Sequence, residues 1–301
     1  MKNLYLFWVG LLCITTYTCY CQNDKKIISS TENLADYQPL QLPNDITKLW
    51  VQEGELTKDT IAIFLQGGPH DYLKVNKNPK THWRYLPNYK NYSKIHLHHS
   101  NTYYPEMFSS KDKFTLENAR TETENSSKIL YRTISHFKSQ GKTVYVFGHS
   151  YGAYIIQHYL TTHESIADKY IIVSGRIIDP EIATANQKKG INGSYENGTD
   201  YKSNTTASIQ ARDEIAAKKY HRKQLLKAAI GDIDYSEKLK NIDLEGVIYV
   251  YGSKDSRVGR LTQKEITFLE SKGVSVFSCN YEHGDTVYGL VEALMKNKIR
   301  L

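Results

Sequence analysis

The sequence predicts an α/β domain: a doubly wound, mostly parallel sheet with a small, mainly helical lid insertion. Three observations lead there. From about residue 46 onward, short β-rich apolar runs alternate with helical patterns, as crossover connections require. One of these runs, Thr143–Phe147, passes through a glycine-flanked serine directly into a helical pattern. The alternation breaks once, between Asp179 and Leu244, where no strand is evident. A chain of 301 residues can bury one sizeable core plus a lid.

Residues 1–21 read as an export signal. Lys2 supplies a positive start, and Leu4 to Ile14 form an apolar core of 11 residues, too short to span a bilayer. Cys13, Cys19 and Cys21 all fall in this segment, which leaves Cys279 as the fourth cysteine and no internal disulfide in the mature domain. The segment resembles a bacterial lipoprotein signal, so Cys19 or Cys21 is a candidate lipidated N-terminus and membrane anchor. Plain secretion to the periplasm or beyond is the alternative. Residues 22–45, polar and with two prolines, read as a tether to a domain at 46–301.

Within that domain the expected strands are Thr60–Leu65, Lys94–His98, Thr143–Phe147, Tyr170–Ser174, Val247–Tyr251 and Val274–Ser278, with Lys48–Glu53 as an antiparallel edge. Leu116–Ser139 reads as a helix stopped at Gly141. Residues 151–163 follow a strand directly. The last helix carries Val287, Leu290, Val291, Leu294 and Met295 on one stripe, with Asp285 or Thr286 as its expected cap. The lid, about 180–243, combines a Gly, Asn, Ser and Thr-rich stretch with a charged helix over Gln210–Ile230.

The net charge of +7 comes from scattered lysines, without a basic run interleaved with aromatics, so nucleic acid is not an expected partner. His96, His98 and His99 cluster near a strand end, but no Cys, Asp or Glu lies close in sequence to complete a metal set.

The chemistry concentrates at Gly148-His149-Ser150-Tyr151-Gly152. A serine hydroxyl is a poor nucleophile unless held out of the chain and given a base, and a sharp strand-to-helix turn does the holding. The glycines let neighbouring elements pass close to the corner. With this motif between a strand and a helix, the sequence from about residue 46 to the C-terminus resembles the α/β-hydrolase superfamily.

That resemblance implies an acid and then a histidine after the nucleophile. Of the histidines after Ser150, His158 and His163 lie on the adjoining helix and His221 on the lid helix, whereas His283 stands in a loop between the last strand and last helix. His283 is the candidate base. Asp255 follows Gly252 after a strand and is the candidate acid, with Asp179, one strand earlier, as its rival. An oxyanion hole needs backbone N–H groups. One would be that of Tyr151. The other would come from Gln66-Gly67-Gly68-Pro69-His70, a loop similar to the His-Gly-Gly-Pro loop of proline-iminopeptidase-like members, through Gly68 or Gly67. Gln66 and His70 depart from that pattern.

The resemblance thus implies an exported serine hydrolase acting on an ester or amide of a small molecule or short peptide, without cofactor or metal. An aminopeptidase-like activity would need an acidic lid residue for a free amine, with Glu181, Glu196 and Glu214 as candidates. A silent, surface-anchored binding protein on the same fold is the alternative of a different class.

Overall fold

A computed structural model describes residues 34–75, 82–204 and 213–301. The expected signal segment and the tether up to residue 33 lie outside the described residues, as do 210–212 of the expected lid helix.

Seven strands form the main sheet: β1 (Trp50–Glu53), β2 (Thr60–Leu65), β3 (Ser93–Leu97), β4 (Thr143–His149), β5 (Lys169–Val173), β8 (Val247–Gly252) and β9 (Ser275–Cys279). Their order is β1-β3-β2-β4-β5-β8-β9. Only β1 runs antiparallel to its neighbour; every other pairing is parallel. The fold is the doubly wound, mostly parallel α/β arrangement that the sequence predicts. A parallel sheet is covered on both faces, so its strands are continuous apolar runs rather than alternating ones. All six residues of β8 and the last five of β2 are accordingly buried. Along β2, Ile61, Ile63 and Leu65 enter one core, whereas Ala62 and Phe64 enter the other.

Among the described residues the α-helices are α1 (Ser100–Tyr103), α2 (Leu116–Ser139), α3 (Tyr151–Thr162), α4 (Glu181–Lys188), α5 (Glu214–Gly231), α6 (Tyr235–Leu239), α7 (Gln263–Ser271) and α8 (Thr286–Met295). The α2 helix opens on a reciprocal Thr115–Asn118 capping box and ends just before Gly141, whose φ of 72° suits glycine. The β2 strand lies between β3 and β4, so the chain leaves the ends of β2 and β4 toward opposite sides. The crevice between those two C-terminal ends is where such sheets bind ligands.

Three expectations need correcting. Residues 35–45 are not a free tether. The Tyr37 hydroxyl donates to Glu122 Oε1 at 2.9 Å, the Leu40 amide donates to the same oxygen at 3.0 Å, and Tyr37 is buried. The insertion expected as a mainly helical lid also holds a hairpin of β6 (Gly193–Glu196) and β7 (Asp200–Ser203). Its turn runs through Asn197 and Gly198 at φ 52° and 74°, the left-handed conformation for which Asn-Gly is favoured. Finally, neither Asp285 nor Thr286 caps α8 through its side chain. Thr286 Oγ1 donates back to the Glu282 carbonyl at 3.0 Å, and a 3-10 turn over His283–Asp285 leads into the helix instead.

Candidate active site

Ser150 sits on the corner between β4 and α3 with φ 56° and ψ −117°. A non-glycine residue there carries strain of about 1–3 kcal/mol, which surrounding contacts must offset. The Ser150 amide donates to the Val173 carbonyl at 2.9 Å and ties the corner to β5. Both flanking glycines are sterically required. A Cβ on Gly148 would stand 2.5 Å from the Gly152 carbonyl oxygen, and one on Gly152 would stand 2.5 Å from that of Leu65. The motif spacing is thus the spacing at which β2, β4 and α3 touch.

His283 and Asp255 meet beside this corner. His283 Nδ1 lies 2.8 Å from Asp255 Oδ2, and the second carboxylate oxygen accepts the amides of Arg257 and Val258 at 2.9 and 3.0 Å. Asp255 is fully buried. Burial alone would raise its pKa, but His283 and the two amides outweigh it and hold the carboxyl below the usual carboxylate range. An ionised Asp255 fixes the proton of His283 on Nδ1 and leaves Nε2 as the basic nitrogen.

His149, the variable residue of the serine motif, is a contact the sequence reading missed. Its Nε2 lies 2.9 Å from the His283 carbonyl oxygen, and the two rings are 4.9 Å apart between centroids. The rival acid, Asp179, lies elsewhere on the cavity wall. It accepts the Tyr154 hydroxyl at 2.7 Å, and burial lifts its pKa to about 6.

The glycine loop after β2 faces the serine. A Cβ on Gly67 would come within 3.2 Å of Ser150 Cβ, so a side chain there would crowd the serine. The Tyr151 amide opens α3, the helix end that favours developing negative charge. Gln66 has a task of its own. Its amide nitrogen donates to the Tyr72 carbonyl at 2.8 Å and its oxygen accepts the Lys74 amide at 2.6 Å, which pins the loop over 66–74. Burial, with Lys74 and Lys223 nearby, pushes His70 down to about 4, so it is neutral at pH 7.

Ser150, Tyr151, His283, Gly67 and Gly68 all line one cavity of about 620 Å³, a volume suited to a small-molecule ligand. Phe64, Trp83 and Val287 supply an apolar wall from one core. The insertion supplies another, from α4, the hairpin and α5. The three lid glutamates expected as amine ligands do not line it: Glu181, Glu196 and Glu214 are all exposed.

The histidine cluster does not converge. His96 reaches the cavity wall and pairs with Glu53 Oε2 at 3.2 Å, while His98 bonds Thr102 Oγ1 at 3.1 Å. His99 is buried against Tyr151 with neither ring nitrogen bonded. Among the described residues no group of His, Cys, Asp and Glu is arranged to hold a metal.

No protein-family model and no curated protein matches the sequence. Solved structures align over most of the chain. A lipase-esterase related protein from Clostridium acetobutylicum is 15% identical at a TM-score of 0.49, covering 83% of this chain and 98% of its own. MGS-M2, an alpha/beta hydrolase enzyme from a deep-sea metagenome, is 13% identical at a TM-score of 0.48, covering 84% and 94%. Est1E from Butyrivibrio proteoclasticus is 12% identical at a TM-score of 0.45, covering 80% and 87%.

Proposed function

We propose that the protein is a serine hydrolase that cleaves an ester or amide through an acyl-enzyme. The observation that carries this reading is the meeting, in one cavity, of a strained, outward-held serine with a histidine whose Nδ1 is bound by a buried carboxylate. Ser150 attacks the carbonyl carbon as His283 Nε2 takes its proton. Asp255 stabilises the resulting imidazolium without itself taking the proton. The Tyr151 amide and one from Gly67 or Gly68 stabilise the oxyanion. His283 then protonates the leaving group, and the same nitrogen activates the water that releases the acid.

The cavity wall favours an ester over a peptide with a free amine. Its one carboxyl among the described lining residues, Asp179, already accepts the Tyr154 hydroxyl at 2.7 Å. We also propose export, with the signal segment removed through residue 21 if the protein is secreted, or cut just before Cys19 or Cys21, which then carries the lipid, if it is anchored. Mass spectrometry of the mature N-terminus separates that from plain secretion. The catalytic reading is tested by turnover of a panel of aryl esters and aminoacyl anilides. Ester hydrolysis that disappears in both Ser150→Ala and His283→Ala is expected; turnover that survives both changes contradicts it.

A further inference from the structure

We propose that the substrate carries a carboxylate, seated between the Lys227 ammonium and the Arg257 guanidinium on the wall of the Ser150 cavity. This rests on the hydrolase reading and names the class of its substrate.

The two cations come from separate elements. Lys227 lies on α5, the lid helix, and Arg257 on the loop that carries Asp255, yet both line the cavity. Lys227 is half-buried, and its ammonium reaches only a neutral acceptor, Asn192 Oδ1 at 3.3 Å. Other lysines of the same helix are treated differently. Lys219 and Lys223, two turns and one turn earlier, both pair with Asp71, at 2.5 and 3.6 Å. The counter-charge stops there, and no described carboxylate lies within ion-pair distance of Lys227 or Arg257.

A partly desolvated cation with no anion is costly, and a second cation beside it raises that cost. Burial is the larger influence on Lys227, followed by Arg257 and Lys223, and together they push its pKa down to about 8. The group is therefore still charged at pH 7. Lys74 adds a third cation to the wall, against Asp179 as the one acid among the described lining residues. A protein that keeps such an arrangement open to its catalytic cavity is built to have the missing charge arrive with the ligand. The ammonium and guanidinium are charge-assisted donors, and guanidinium offers the fork that a carboxylate fills.

The test compares matched esters. Mono-4-nitrophenyl glutarate against 4-nitrophenyl valerate places the anion on the acyl side, and 4-carboxyphenyl butyrate against phenyl butyrate places it on the leaving group. In the wild type the charged member of at least one pair is expected to have a kcat/KM about tenfold higher, as for a desolvated charge pair. That ratio is expected to fall toward one in Lys227→Met and Arg257→Gln, and to be largely kept in Lys227→Arg. Hydrolysis without preference in either pair, or a ratio unmoved by both charge-removing variants, overturns the subsite and leaves the hydrolase reading standing. If no ester is turned over and Ser150 is not modified by a fluorophosphonate, the hydrolase reading fails. Calorimetric titration with glutarate then decides the subsite alone: binding that weakens in Lys227→Met supports it, and absent or unchanged binding overturns it.

Discussion

At Ser150 the chain is held by backbone. Two glycine Cα atoms lie against carbonyl oxygens, an amide bonds the next strand, and nothing larger than hydrogen fits at positions 148 and 152. Across the cavity, the insertion is held by side chains and a few stitches. The Tyr195 amide donates to the Ser256 carbonyl, and the Arg260 amide donates to the Gly198 carbonyl, both at 2.8 Å. Arg222 of α5 donates to the carbonyls of Met107 and Asp112. The first region admits one local arrangement. The second can exchange side chains, and so the shape and charge of the cavity, without disturbing the sheet. On the proposed function, the corner would fix the chemistry, and the insertion together with the Arg257 loop would set the choice of substrate.

That division can be broken by mutation, with the largest effect at the corner. Ser150→Ala should lower ester turnover by about 10⁴-fold or more while leaving the thermal midpoint near that of the wild type. Asp255→Asn should cost about 10⁴-fold as well, because the amide no longer fixes the proton on His283 Nδ1. Gly152→Ala should act on stability instead. Its Cβ meets the Leu65 carbonyl at 2.5 Å, and such overpacking costs about 1–3 kcal/mol, readable as a lower urea midpoint. On the other side, Gly198→Ala puts a side chain at φ 74° and 2.7 Å from the Ser253 carbonyl oxygen. It should cost stability of about 1–3 kcal/mol and move KM more than Gly152→Ala does, since that turn is stitched to the Asp255 loop. If both glycine variants change KM equally, the division between the regions is not real.

The smallest expected effect is one of pH, and it sits beneath the corner. His99 is buried with neither ring nitrogen bonded, and burial, with His98 and His70 adding to it, pushes its pKa to about 3. A histidine depressed in the fold is neutral there while the unfolded chain takes up a proton below about 6.5. Stability is then lost as pH falls from 6.5, at up to about 1.4 kcal/mol per pH unit. Asp179, raised to about 6, works the other way between 6 and its ordinary value. Denaturation midpoints at pH 7 and 5 isolate the histidine: the drop should be smaller in His99→Phe than in the wild type.

The same contrast governs what could be read from the chain. The parallel strands and the serine corner follow from backbone rules with short-range signatures, such as continuous apolar runs and glycines at fixed spacing, whereas the order Ser150, Asp255, His283 is what the resemblance to the α/β-hydrolases implied. The hairpin over Gly193–Ser203 had a signature too, Asn197-Gly198, but its flanking residues are polar and gave no strand pattern. Lys227 could not be read. Its helix carries cations at Lys218, Lys219, Arg222 and Lys223 as well, and only tertiary packing decides which of them finds Asp71, which is buried and which faces the cavity. His149 was invisible for a similar reason, because its partner lies 134 residues away.

Whether Ser150 is the activated nucleophile of this corner is decided by intact-protein mass spectrometry after exposure to a fluorophosphonate. The wild type should gain the mass of one phosphonyl group, mapped to Ser150, and neither Ser150→Ala nor His283→Ala should gain it at the same rate. A wild type that stays unmodified, or a Ser150→Ala variant labelled as fast as the wild type, would contradict it.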